Sequence, residues 1–137
     1  MDGGLSLPEV SGPVVGVGID LVDIDRIRDV LRRWPRFALE RFTADERAWC
    51  EQRRDPAERY AARFAAKEAT LKAMGVGLGA AQLVDLEVVR AGSGAPGLRL
   101  HGSAAALASA RGVSGWHLSL SHSRAMAVAV AVAVGRG

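Results

Sequence analysis

The chain has 137 residues, which suits one domain, and 49% of them are hydrophobic, enough for a real core and too many for a disordered chain. Aromatics are only 5%, so the core must be mostly Ala, Val and Leu. Eighteen Lys and Arg against 15 Asp and Glu give a formal charge of +3, which favours an acidic partner or a phosphorylated ligand; no basic run interleaved with aromatics points to nucleic acid.

Met1 to Pro13 lacks the basic region and long apolar core of a signal peptide, and its Gly, Ser and Pro content predicts a loose tail over residues 1–13. A single domain is expected over 14–137. Val14 to Leu21 reads as a buried strand ending in acid. Asp23 is placed to cap a helix with Ile24, Ile27, Val30 or Leu31 and Trp34 as its apolar stripe, stopped by Pro35. Thr43-Ala-Asp-Glu46 is a capping box opening a short helix towards Arg53. Asp55-Pro56-Ala-Glu58 starts a longer helix that runs to about Met74, with Gly75 as its stop.

Gly75 to Gln82 is a glycine-rich loop, Leu83 to Arg90 a strand, Ala91 to Gly97 a turn region, and Leu98 to His101 a returning strand. Ser103 to Ala110 is an alanine-rich helix closed by Gly112. Trp116 to Ser121 alternates as a half-buried strand does, Ser121 to Arg124 is a tight turn, and Ala125 to Val134 is a last strand, apolar throughout. Such a strand needs cover on both faces, from helices or another subunit. At no point does an apolar run reach the ~20 residues of a membrane helix. Cys50 is the only cysteine, so no internal disulfide forms, which fits a reducing cytoplasm. The pattern predicts an α+β domain with no internal repeat.

Five places could carry chemistry or docking. Asp20 follows Gly16-Val-Gly18-Ile, whose glycines admit a close neighbour; it either caps the next helix or binds a ligand. Glu68 falls within the apolar stripe of Tyr60, Phe64, Leu71 and Met74, where an unpaired carboxylate costs several kcal/mol, roughly. It is either the helix partner of Lys72 or, with Asp20, a site for Mg²⁺, which takes one or two carboxylates plus substrate phosphates. Arg59, Arg63 and Lys67 share one helix edge, a crowding better tolerated with an anion against it, or simply wet. His122 sits in a turn between hydroxyls; a Ser-His hydrolase is disfavoured because no Gly-x-Ser-x-Gly elbow exists. Six arginines from Arg26 to Arg41 crowd the first helix and its exit, as for docking to an acidic protein surface.

Gly16-Val-Gly-Ile-Asp20, Phe64-Ala-Ala-Lys-Glu68-Ala-x-x-Lys72 and Leu118-Ser-Leu-Ser-His122-Ser, in this order and spacing, resemble the holo-acyl-carrier-protein synthases, the small single-domain phosphopantetheinyl transferases. The turn Gly94-Ala-Pro96 before a strand is similar too. The resemblance implies the 4′-phosphopantetheinyl transferase fold: a small antiparallel sheet packed with a long central helix and shorter helices, in a homotrimer with interfacial active sites. It implies transfer of 4′-phosphopantetheine from coenzyme A to a serine of an apo acyl carrier protein, leaving adenosine 3′,5′-bisphosphate, in support of fatty acid biosynthesis in the cytoplasm. No nucleic acid or membrane is involved. Asp20 and Glu68 would hold Mg²⁺, coming together across or close to a chain boundary, with Lys72 beside the transferred phosphate. Arg63, Lys67, Lys72, His122 and Ser123 would contact coenzyme A, and Arg26, Arg33 and Arg36 would dock the carrier. Relatives carry Asp or Thr where Ser123 stands, and a serine is no base at neutral pH, so no base is assigned there. Two alternatives stay open: the same chemistry on polyketide or peptide synthase carriers, and a trimeric carrier-binding module without catalysis.

Overall fold

The computed structural model describes residues 5–7 and 9–136. Five strands and five helices follow in the order β1 (Val14–Asp23), α1 (Ile24–Arg33), α2 (Arg36–Arg41), α3 (Ala44–Cys50), α4 (Ala57–Ala73), β2 (Leu86–Arg90), β3 (Pro96–Leu100), α5 (Gly102–Ala110), β4 (Val113–His122) and β5 (Met126–Gly135), with a 3-10 turn at Leu83–Asp85. The α+β expectation holds. All pairing is antiparallel: β1-β5-β4 form one sheet and β2-β3 a second.

The central helix α4 lies on the three-stranded sheet because both surfaces are built from the smallest residues. Its Ala61, Ala65, Ala66, Ala69 and Ala73 are buried against Ala127, Ala129, Ala131 and Ala133 of β5. A Cβ at Gly16 or Gly18 of β1 would run into the carbonyl oxygens of Ala73 or Ala69, so the two glycines do admit a close neighbour, and that neighbour is α4. Gly75, at φ +77°, ends the helix where expected.

The caps come partly as predicted. Asp23 accepts from the Arg26 N–H at 3.2 Å, and Thr43 and Glu46 form the reciprocal capping box. Asp55 is shared between two partners: its carboxylate binds the Arg28 guanidinium at 2.6 Å and its Oδ1 also accepts from the Ala57 N–H at 3.5 Å, while Pro56 occupies the N-cap position without a side-chain bond. Helix α2 was not anticipated; it is six residues long and held by Phe37, which packs on Phe42 and Phe64.

Strand β1 is not the buried strand expected. It is an edge strand, and only one of its faces is covered. Val17, Ile19 and Leu21 are 60%, 59% and 62% exposed. They stand in register with Val132, Val130 and Val128 of β5, so the face of the sheet opposite α4 is an open apolar surface. The loose tail is also corrected for its described part: residues 5–7 and 9–13 pack along the domain, while 1–4 and 8 lie outside the described residues.

Candidate active site

The two flanks of α4 carry different chemistry. On the flank beside β1, Asp20 and Glu68 come together within one chain. The Glu68 carboxyl holds its proton above the ordinary range because burial and then the adjoining Asp20 carboxylate disfavour its charge, with Lys72 and Arg26 opposing this. Lys72 reaches back to Asp20 Oδ1 at 2.9 Å and to the Ile19 carbonyl at 3.1 Å. Its bond to Asp20 holds the ammonium above the usual lysine value. The helix partner of Lys72 is therefore chiefly Asp20, on β1, and Glu68 is the carboxylate left in want of a cation. Two hard oxygen donors with repelling charges suit Mg²⁺. Among the described residues no cluster of three or more His, Cys, Asp and Glu exists, so Asp20 and Glu68 have no third such side chain beside them.

The other flank carries Arg59 and Arg63, and here the cationic edge divides. Lys67 is 0% exposed. Its ammonium donates to Glu46 Oε1 at 2.8 Å, to the Leu83 carbonyl at 2.8 Å and to the Leu86 carbonyl at 2.9 Å. An ammonium has three N–H donors, and all three are used, so Lys67 is corrected from a coenzyme A contact to the core of the fold. Burial pulls its pKa down, opposed by Glu46.

Arg59 and Arg63 face a cavity of about 340 Å³ also lined by Trp49, Arg53, Glu58, Arg90, Gly94, Pro96 and His122. The Arg59 and Arg90 guanidiniums lie 3.5 and 3.8 Å from the centre of the Trp49 ring, one on each face, since both cannot fit on one. Arg63 is buried, and its Nε has no hydrogen-bond partner among the described residues. Burial, and after it the neighbouring cations, lower the pKa of Arg63 and Arg59. An anion would offset the charge of arginines packed this closely. His122 stands at the rim, 3.2 Å from Glu58. Trp49, Arg53 and Arg90 were not among the sequence candidates, because they lie on or beside different elements and no spacing connects them.

The remaining candidates separate. Ser123 is used by its own hairpin turn, where its Oγ accepts from the N–H groups of Ala125 and Met126 at 3.3 and 3.2 Å; Ser121, not Ser123, lines the cavity. Arg33 is paired with Asp29 and Arg36 with Glu40. Arg26 is exposed, makes no ion pair among the described residues, and lies close enough to act on Glu68. Cys50 is buried with its thiol pushed up to about 12, which rules it out as a nucleophile at neutral pH.

The family model of the 4′-phosphopantetheinyl transferase superfamily matches residues 16–131. The chain belongs to this family. A relative from Frankia casuarinae, named holo-[acyl-carrier-protein] synthase, is 48% identical over 109 residues, covering 80% of this chain and 87% of the relative. One of the same name from Anaeromyxobacter sp. is 49% identical over 113 residues with the same coverage. Among solved structures, the holo-ACP-synthase of Plasmodium yoelii aligns with a TM-score of 0.83 at 29% identity, over 93% of this chain and all of that one. A holo-(acyl-carrier-protein) synthase from Bacillus anthracis in complex with CoA (3′,5′-ADP) aligns at 0.74 with 34% identity, over 89% of this chain and 97% of that one.

Proposed function

We propose that this chain transfers 4′-phosphopantetheine from coenzyme A to a serine of an apo acyl carrier protein. The observation that carries the reading is the Asp20–Glu68 pair with the Lys72 ammonium against it, on the opposite flank of α4 from a cavity of unneutralised arginines. A diphosphate ester needs both: hard oxygen donors for a divalent cation at the reacting end, and fixed positive charge at the nucleotide end. Relatives named for this activity, and neighbours solved with coenzyme A bound, support the same assignment.

The serine hydroxyl gives up its proton to solvent, and its oxygen forms a new bond to the phosphorus on the pantetheine side of the diphosphate. The anhydride P–O bond breaks, and adenosine 3′,5′-bisphosphate leaves with the bridging oxygen and both electrons of that bond. Asp20 and Glu68 would hold Mg²⁺, which would supply charge neutralisation of the phosphoryl oxygens. Lys72 lies where it can stabilise the charge that grows on the same oxygens. Arg63, with its unpartnered Nε, and His122 hold the nucleotide phosphates. Arg26, exposed beside Glu68, receives the acidic carrier close to the reacting centre; Arg33 and Arg36 extend that surface once released from Asp29 and Glu40. We infer that the reaction runs in the cytoplasm.

The working assembly is a homotrimer. Arg63 and Glu68 point about 140° apart around α4, and Glu58 and Glu68 are separated by about 15 Å along it. The arginine cavity and the carboxylate pair thus face away from each other within one chain. Neighbouring copies packed over the open face of Val17, Ile19 and Leu21 complete each site from two chains and cover the apolar surface. Incubation with coenzyme A, Mg²⁺ and an apo acyl carrier protein, followed by mass spectrometry, tests the reading: the carrier gains one phosphopantetheinyl group with the parent chain and none with Asp20→Asn. An unmodified carrier in the parent reaction overturns it.

A further inference from the structure

The segment before β1 lies outside the residues that the family model matches, yet it is fitted to the domain at four points. Pro13 accepts from the Gly135 N–H at 2.9 Å, beside the end of β5. Val10 lies over Gly115 of β4, where a Cβ would come within 2.8 Å of its Cγ1. Leu7 lies over Gly97 of β3, where a Cβ would come within 2.6 Å of its Cδ2. Leu5 bridges Ala91 in parallel fashion and accepts from the Gly92 N–H at 2.9 Å. The segment therefore crosses from the end of β5 over β4 and β3 to the β2–β3 turn, and two glycines leave room for it.

That turn is part of the arginine cavity. It is closed by Ala91 N–H to Ala95 at 2.8 Å and Gly94 N–H to Ala91 at 2.8 Å, with Gly94 at φ +93°. Gly94 and Pro96 line the front of the cavity. Leu5 meanwhile lines a smaller pocket behind the same wall, shared with Trp49, Arg63 and Arg90. The strap so formed touches the turn and the back of the Trp49–Arg90 stack, and neither Asp20, Glu68 nor Lys72 is among the residues lining the pockets it borders.

We propose that residues 5–7 and 9–13 form a strap whose Leu5 and Leu7 are positioning residues for nucleotide binding: they hold the Ala91–Pro96 turn, and with it one wall of the anion cavity, in its ligand-ready shape. This rests on the assignment of that cavity to the nucleotide of coenzyme A. The strap acts on the affinity for the nucleotide and leaves the chemical step alone, because it reaches only the nucleotide end.

The test is a double-mutant cycle in the full chain with Leu7→Ala and Gly97→Ala, read by steady-state kinetics and by calorimetric titration with adenosine 3′,5′-bisphosphate. Leu7→Ala weakens bisphosphate binding and raises the KM for coenzyme A about five- to tenfold, the scale of one lost hydrogen bond or packed side chain. The kcat and the KM for the carrier stay within about twofold. Gly97→Ala, which forces Leu7 off its seat, raises the KM on its own and adds nothing on top of Leu7→Ala. A variant that melts lower with unchanged bisphosphate affinity overturns the proposal, since the strap would then only brace the fold. So do additive effects in the cycle, or a fall confined to kcat. Should Gly97→Ala not fold, Leu7→Ala together with deletion of residues 1–10 decides by the same readouts. If the parent chain binds no bisphosphate while its melting temperature is normal, the nucleotide assignment itself has failed, a result distinct from any of these.

Discussion

Replacing Lys67 by Met decides whether the ammonium serves the fold or the ligand. The side chain is 0% exposed, as is that of its partner Glu46. Methionine preserves most of the volume and removes the charge, stranding the Glu46 carboxylate with only the Thr43 and Val88 N–H groups as donors. It also leaves the Leu83 and Leu86 carbonyls without the donor they share. Removing one partner of a buried ion pair costs about 3–5 kcal/mol, a large part of the 5–15 kcal/mol that holds a typical domain together. For a chain of this length that corresponds to a fall of roughly 10–20 °C in Tm. Calorimetry at one fixed protein concentration measures it, since an oligomer melts in a concentration-dependent way. The double variant Glu46→Met/Lys67→Met recovers part of the loss, because an apolar pair of similar volume replaces the ionic one. Well below the transition, the KM for coenzyme A stays within about twofold of the parent. A Tm within about 2 °C of the parent, with a KM raised tenfold or more, would refute the reasoning and return Lys67 to the ligand.

Glu68→Gln removes a carboxyl whose folded-state pKa is raised, so its favourable contribution to the metal-free fold is full below the ordinary value of 4.5 and lost as pH rises through the folded value. The metal-free variant therefore melts higher than the parent at about pH 8 and not at about pH 4, and an equal difference at both would sink the assignment. In the parent, Mg²⁺ affinity falls on acidification from a pH above the ordinary carboxylate range, as titration calorimetry across pH reads directly. Ile19→Glu puts a charge in the centre of the open sheet face; light scattering gives a monomer mass and transfer is lost with the trimer, whereas an intact trimer would place the interface elsewhere. Arg26→Glu raises the KM for the carrier about tenfold and flattens its salt dependence without changing that for coenzyme A; an unaltered carrier KM moves docking off α1.

What the sequence revealed of this site follows from how local each signal is. The capping box at Thr43 and the stop at Gly75 act over a few residues, and their meaning is written beside them. Glu46 was readable as a cap, but not as the acceptor of Lys67 and of the Val88 N–H, because those partners lie 21 and 42 residues away. Helical spacing put Lys67 on an edge with Arg59 and Arg63, and it does share their flank. Spacing alone says nothing of depth, and α3 and the 3-10 turn bury that part of the flank. Helix α2 escaped for a related reason: it has no side-chain cap, and one phenylalanine seated between two others holds it in place. Gly97 looked like a turn glycine and Gly115 fell between predicted elements, whereas the residues they make room for are Leu7 and Val10, near the other end of the chain.

The poverty of large side chains in the middle of the molecule is what allows one helix to serve two kinds of chemistry. Alanine on α4 and β5 and glycine on β1 let the helix settle so close to the sheet that residues on its flanks overhang the strands. Lys72 can then bond both a backbone carbonyl and a carboxylate of β1, which a helix at the usual distance of a leucine-packed interface would not reach. On the other flank the same closeness presses Arg63 into the interior, where its guanidinium is denied water and left wanting an anion. Close packing by small residues provides little apolar burial per contact, and the fold makes up the difference elsewhere: in the Phe37, Phe42, Phe64 and Tyr60 cluster beneath α1 to α3, and in the saturated Lys67–Glu46 pair. It also leaves the opposite face of the sheet with valines and isoleucine that none of the described residues covers. The features that bring carboxylates and arginines to the flanks of α4 are thus the same ones that leave an apolar sheet face exposed on a lone chain.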